Sequence, residues 1–555
     1  MTQGIATLLS LVALLACGST VRAEIIRVPG DYPTISEAIA AASDGDTVLI
    51  ADGIYTGAAN KNLSWQGKSL VVRSENGPDR CVIDCEDNGA CFAFRRESST
   101  TATIEGLTLT RGNGGAITSR DNTRLTVRNC IVTKNRSHAS APGGGISAYG
   151  TVDIVDCKIT DNLGGYGGGV AVYGGPATIS SCEITGNRAD RIGGANTGLG
   201  GGVFVSFDTT IINCVIRGNA AIGSGGGVYA QGKNVAIWNS IIENNTGRSN
   251  GGVVMIGGRL ERSVVANNLA EGGGGVSAGY DAVIRDCVIA DNRATVHGAG
   301  GLHLGTRSSV FQTVVVSNTA AAEGGGIYSY SGDSIMQNLI VYGNTAQRGG
   351  GLFVLAGSPQ MSSSIVRANV ADEHPEIAGT PLVIYSDIEG GFEGEGNIDR
   401  DPNFTDPERG DFHLTAGSPC IDAGDNVTQF ARLTTDFDGL IRRFDDPDTP
   451  DTGRGRGPIT DMGAYEFAAP LACTGDERLT ARCREENGTF AIDIKTRRAQ
   501  PGATLTFVLD ANDESAQLDR VNRRGRAKLT FVEVDAGGHA VELLECGLRR
   551  NVACR

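Results

Sequence analysis

Aromatic residues are scarce in this 555-residue chain, where Phe, Trp and Tyr together make up 5%. That scarcity suits a thin core lined mainly by aliphatic side chains. Histidine is scarce too. The six are His138, His297, His303, His374, His413 and His539, and no two have a metal-ligand spacing on one strand. Positive charge is in deficit, with 48 Lys and Arg against 63 Asp and Glu and a formal net charge of −15. That balance argues against nucleic acid as a partner and disfavours strongly anionic polysaccharides. Long apolar runs are missing beyond Ile5–Ala16, which is too short to span a bilayer but is placed like a signal-peptide core. Val21-Arg22-Ala23 then offers a small-residue cleavage site, so residues 1–23 are expected to be a signal peptide and the protein to be exported.

Glycine is abundant, 80 of 555 residues, about twice the usual share. It is also periodic. Gly145, Gly169, Gly202, Gly227, Gly252, Gly275, Gly301, Gly326 and Gly351 are third members of successive glycine clusters, at steps of 23 to 26 residues and one of 33. The long step fits an insertion at 191–197. Asn135, Asn162, Asn187, Asn219, Asn245, Asn268, Asn292, Asn318, Asn344 and Asn369 keep the same beat. Five residues before most of them stands a small residue, Cys130, Cys157, Cys182, Cys214, Ser240, Ser263, Cys287 or Thr313, with an aliphatic two residues later.

A fixed period of about 25 residues marks stacked structural units. The two-residue alternation is a strand signal, and each unit has no room for a helix. One unit cannot bury its own apolar face, but a stack can. The fold expected is an all-β parallel β-helix. Gly and Asn supply its corners, and the Asn row forms a hydrogen-bonded ladder. The row of small residues reads as a buried column, with stacked disulfides as the alternative; Ser240 and Thr313 favour the column.

Gly114-Gly115-Ala116-Ile117, Ile159-Thr-Asp-Asn162 and Ile184-Thr-Gly-Asn187 resemble the paired motifs of polymorphic outer-membrane-protein repeats. More broadly, residues 25–470 resemble the right-handed parallel β-helix, pectin-lyase-like superfamily. Asp461-Met-Gly-Ala-Tyr-Glu466 and its surroundings resemble a choice-of-anchor-like closing region of bacterial surface β-helices. Leu14-Leu15-Ala16-Cys17 loosely resembles a lipoprotein signal, which leaves the anchoring route open. The resemblance is specific for fold and weak for activity, since one fold hosts many functions. The Asn-Thr-Asp, Asp-Asp and Gly-His-Gly set of the polygalacturonase family is absent from the coils.

Four regions are expected: the signal peptide 1–23, a parallel β-helix 24–379, terminal coils with an acidic cap 380–470, and a small β-rich domain 471–555. A capping-box pattern at Thr34 and Glu37 predicts a short helix over the first coil. Cys81, Cys85 and Cys91 could supply one bridge, and Cys473, Cys483, Cys546 and Cys554 could staple a C-terminal β-sandwich. Strands there are expected at Thr489–Lys495, Ala503–Leu509, Ala527–Val534 and His539–Leu544.

Two sets of residues are candidates for binding. A row on the outer face reads Ser147, Ala171, Phe204, Tyr229, Val254, Ser277, His303, Tyr328, Phe353. Phe204, Tyr229, His303, Tyr328 and Phe353 in that row could present rings to a glycan, or could simply stack on one another. In the acidic tail, Asp436, Asp438, Asp446, Asp448 and Asp451 are candidate calcium ligands, against the plainer reading of a solvated acidic turn. The function expected is non-catalytic adhesion or glycan recognition at the cell surface. The alternatives are a polysaccharide lyase or glycoside hydrolase, and a structural envelope protein.

Overall fold

The computed structural model describes residues 23–94, 100–120, 123–137, 143–190, 198–428, 433–446, 448–467, 478–486, 489–497, 504–510, 512–520, 526–543 and 548–554. The signal-peptide core, Cys17, the insertion at 191–197, Cys473 and Cys546 lie outside the described residues. Two compact units are present. The first comprises residues up to Met361 together with Val366–Leu382, and the second Ser362–Ile365 together with Val383 onward.

The chain forms a parallel β-solenoid of about fourteen turns with almost no helix. One turn shows the pattern. Thr209–Ile212 joins the first sheet, Val215–Arg217 the second, the two-residue strand Ala220–Ala221 a short side sheet, and Val228–Gln231 the third. Stacking is in register, so Ile184 pairs with Ile216, Ile216 with Ile242, and Ile242 with Val265. These aliphatics are fully buried and make the thin core expected from the composition.

The corners differ in detail from the sequence reading. Left-handed backbone falls one residue before each ladder position, at Gly218, Asn244 and Asn267 rather than at Asn219, Asn245 and Asn268. The left-handed residue turns the chain at the surface, which lets the following Asn point inward. In several glycine clusters the first member alone has a positive φ, as at Gly225 (φ 67°). The second is glycine for another reason. A Cβ on Gly226 would collide with the carbonyl oxygens of Thr246 and Gly251.

The Asn ladder runs through the first unit. Asn219 donates both its N–H and its Nδ2 to Asn245 Oδ1, at 2.9 and 3.0 Å, and its Nδ2 also donates to the Ile184 carbonyl at 2.9 Å. The pattern repeats up to Asn369, where Glu376 supplies the last acceptor: Asn369 N–H reaches its Oε1 at 3.1 Å. Beside the ladder, Cys130, Cys157, Cys182, Cys214 and Cys287 are buried free thiols. Cys214 N–H donates to Ser240 Oγ at 3.1 Å, and Ser240 N–H to Ser263 Oγ at 3.1 Å. The column is thus a set of small interchangeable side chains, with no disulfide among these five. Cys81, Cys85 and Cys91 are also free, so the bridge expected there is not formed.

A helix, α1 (Ile35–Ala41), packs on the first two strands through Ile35, Ala38 and Ile39. Thr34 Oγ1 accepts the Glu37 N–H at 3.3 Å, and Lys68 Nζ donates to the carbonyls of Ile39 and Ala40 at its C-terminal end.

The second unit contains the closing region and two small antiparallel sheets. The sheets hold seven strands and share a cluster of Leu479, Ile492, Ile494, Phe507, Phe531, Val541 and Leu543. Cys483 and Cys554 are disulfide-bonded. Arg478–Glu486, Asn512–Arg520 and Leu548–Cys554 are strands that the sequence reading missed. Their many charged residues hide the two-residue alternation.

The ladder yields a stability prediction. Asn245→Ala removes four side-chain hydrogen bonds and leaves the buried Asn219 N–H without an acceptor, costing about 2–4 kcal/mol. Asn244→Ala, at the surface corner, should cost about 1 kcal/mol or less beyond its φ strain. Denaturant unfolding of both variants tests the order, and equal losses would contradict it.

Candidate functional site

The third sheet carries the outward row, and the solenoid stacks its rings face to face. Tyr173 lies over Phe204 at 5.1 Å between centroids, and Phe204 over Tyr229 at 5.6 Å with planes 10° apart. Farther along, His303 stacks on Tyr328 and Tyr328 on Phe353, both at 5.3 Å. Five members of the row are buried rather than exposed: Ser147, Ala171, Phe204, Val254 and Phe353. Phe204 is covered on both faces and edged by Tyr166, and the Arg348 guanidinium lies over Phe353. Neither offers a ring face to a ligand. Tyr328 is likewise taken up on both sides.

The row is therefore two stacks, separated by Val254 and Ser277. Tyr229 pairs with Val254, Val254 with Ser277, and Ser277 with His303. Tyr229 thus ends one stack and His303 begins the other, with the Tyr330 ring tilted against His303 at 6.3 Å. Three coil spacings separate Tyr229 from His303, about 14 Å. The floor continues over glycine. Gly279 follows on the Ser277 coil and Gly305 on the His303 coil, and a Cβ on Gly279 would meet the Gly305 Cα at 3.9 Å. Tyr280 and Tyr330, 64% and 57% exposed, stand at the rim.

This interval, a notch in the aromatic row, is flanked by a phenol, an imidazole and a hydroxyl. Ser277 Oγ lies 3.5 Å from His303 Nδ1. Burial holds the His303 pKa below its ordinary value, so the ring is neutral at physiological pH and can both donate and accept. The sequence showed which positions were aromatic. It did not show that the stacks consume most of their faces.

In the second unit, the candidate calcium residues separate. Asp436 is buried and accepts backbone N–H groups from Asp438, Leu440 and Glu466 at 2.7 to 3.0 Å. Asp438 pairs with His413. Asp446 accepts the Thr449 hydroxyl at 2.7 Å, and Asp448 is exposed. Only Asp451 belongs to a carboxylate cluster with metal-holding geometry, whose other members are Asp422 and Asp445.

His413 is a second convergence of titratable groups. Its Nδ1 lies 2.6 Å from Asp411 and its Nε2 2.6 Å from Asp438, with the Tyr465 ring centroid 4.3 Å away. Burial lowers its pKa, but the bonds to Asp438 and Asp411 outweigh burial and raise it above the ordinary 6.5. An imidazolium donating from both nitrogens has no lone pair left for a substrate proton. The arrangement is a clamp between two segments rather than a base.

The sequence pattern described as "Right handed beta helix region" matches residues 52–212 and 196–371, and the chain belongs to that family. No curated protein matches the chain. Among solved structures it is similar to pectate lyase Pel9A, at 14% identity and a TM-score of 0.27, covering 80% of this chain and 96% of that one. It is also similar to a mannuronic acid specific polysaccharide family 6 lyase from human gut microbiota, at 14% identity and a TM-score of 0.29, covering 61% and 86%.

The clamp makes a pH prediction. A folded-state pKa above 6.5 means that the His413 pairing contributes stability below that pH and loses it as pH rises through the folded value. Proton-detected titration should place His413 above 6.5, and Asp438→Asn should bring it down. An unshifted His413 in the parent protein would contradict the clamp.

Proposed function

We propose that this right-handed β-helix is an exported, non-catalytic protein that binds a neutral glycan in the notch between its two aromatic stacks. One observation carries the reading. The aromatic row lapses at Val254 and Ser277, so that Tyr229 and His303, the ends of the two stacks, each pair with a non-aromatic residue on the coil facing the lapse. The net charge of −15 favours a neutral glycan over a polyuronate, whose charge it repels. The notch binds by preformed surfaces, because the ladders fix both stacks before ligand arrives.

A second reading is polysaccharide cleavage in the same notch. His303 favours it, since a neutral imidazole on the notch wall has the protonation state of a general base. The two readings share the notch and differ in outcome, binding alone or product formation.

Filling the lapse is the decisive test. Val254→Tyr with Ser277→Tyr continues the aromatic stack across the notch, as Tyr229 and Tyr328 already do elsewhere. Thermal stability should stay within a few degrees of the parent, while retention on neutral glycans in affinity electrophoresis is lost. Tyr229→Ala should weaken binding about tenfold. Retention unchanged in the filled variant would refute the notch as the binding site. Release of reducing ends or unsaturated uronates by the parent, abolished in His303→Ala, would decide for cleavage.

A further inference from the structure

The closing region of the second unit holds buried carboxylates that its own hydrogen bonds do not fully serve. Asp422 is completely buried, in left-handed backbone (φ 51°). Its backbone carbonyl accepts the N–H groups of Thr452 and Gly453, both at 3.0 Å. Its side chain accepts the Asp446 N–H through Oδ2 at 3.2 Å. Oδ1 is buried and meets no donor. An orphaned carboxylate oxygen at zero exposure is costly unless something else binds it.

What lies near Asp422 is more negative charge. Carboxylate oxygens of Asp422, Asp445 and Asp451 lie within 4.8 Å of one another. The buried cation of this region, Arg442, is engaged elsewhere: its Nε faces Glu466 Oε1 at 3.3 Å and its NH1 donates to the Ala464 carbonyl at 2.9 Å.

We propose that Asp422, Asp445 and Asp451 hold a divalent cation, calcium, which ties Asp445 and the exposed Asp451 to the buried turn at Asp422. Ligand count selects the ion: carboxylate oxygens within 4.8 Å of one another can share one cation, and calcium gathers several carboxylates where magnesium is usually held by one or two and keeps most of its waters. Three hard carboxylates suit calcium, and water can complete its larger shell. The role is structural. Asp451 is exposed and Asp445 half-exposed, so an ion has a path in, and its binding would stiffen the region.

The full chain, stripped with EDTA and titrated with CaCl₂ by calorimetry, tests this directly. One calcium per chain is expected, with a rise in thermal midpoint of about 5 °C at saturation. Asp451→Asn, on the exposed side of the cluster, should weaken binding at least tenfold and abolish the rise. Asp448→Asn, from the same acidic run but outside the cluster, should bind like the parent. Absence of calcium binding by the parent, unchanged affinity in Asp451→Asn, or magnesium bound as tightly as calcium would each overturn the proposal. The inference is independent of the glycan notch, so the filled Val254→Tyr, Ser277→Tyr variant should still bind calcium normally.

Discussion

In-register stacking of coils at one strand spacing is the constraint on which the rest of this molecule depends. Every residue of one turn must accept what lies directly above and below it. The buried corner shows the consequence most sharply. An inward polar side chain there is tolerable only if its neighbours on adjacent coils are polar in the complementary sense, and the asparagine amide is complementary to itself. Each Oδ1 takes two N–H groups from one coil, and each Nδ2 gives to the coils on either side. The first unit ends this series with a carboxylate, Glu376, which can accept but need not donate. The glycine clusters obey the same constraint in its steric form, since a Cβ on Gly226 would strike the next coil.

The same stacking organises the surface. Rings placed one coil apart fall naturally into face-to-face columns, so aromatic residues on a solenoid consume one another. Phe204, Tyr328 and Phe353 are spent in that way. The surface proposed to bind lies where the column stops. Val254 and Ser277 interrupt it, and Gly279 on the Ser277 coil adds no side chain there. Scarcity of aromatics is thus compatible with recognition, because a few rings at the two edges of a gap suffice.

The closing region follows different physics. It lacks ladders and is held instead by side chains that cap backbone N–H groups, with Asp436, Asp461 and Glu466 as acceptors and Arg442 buried among carbonyls and a carboxylate. Such networks gather charge of one sign around irregular backbone. This is where Asp422 is left with an unserved oxygen and where a cation would do what no side chain does.

By itself the sequence determined the architecture. A 25-residue beat of Gly, small residue and Asn admits no other economical burial, and strands, period, capping helix and the buried column of small residues were legible from it. It also identified the aromatic row and the acidic run. The charged strands Arg478–Glu486 and Asn512–Arg520 were illegible because their pattern is set by sheet pairing rather than by hydrophobic alternation. Only the tertiary structure decided which rings end a stack and which carboxylates meet. Both depend on contacts between residues far apart in sequence. Tyr229 and His303 are 74 positions apart (303 − 229) yet border one notch, and Asp422 and Asp451 are 29 apart (451 − 422) yet share one cluster. Periodicity could place each residue on a face, but not say what its neighbours on that face would leave free.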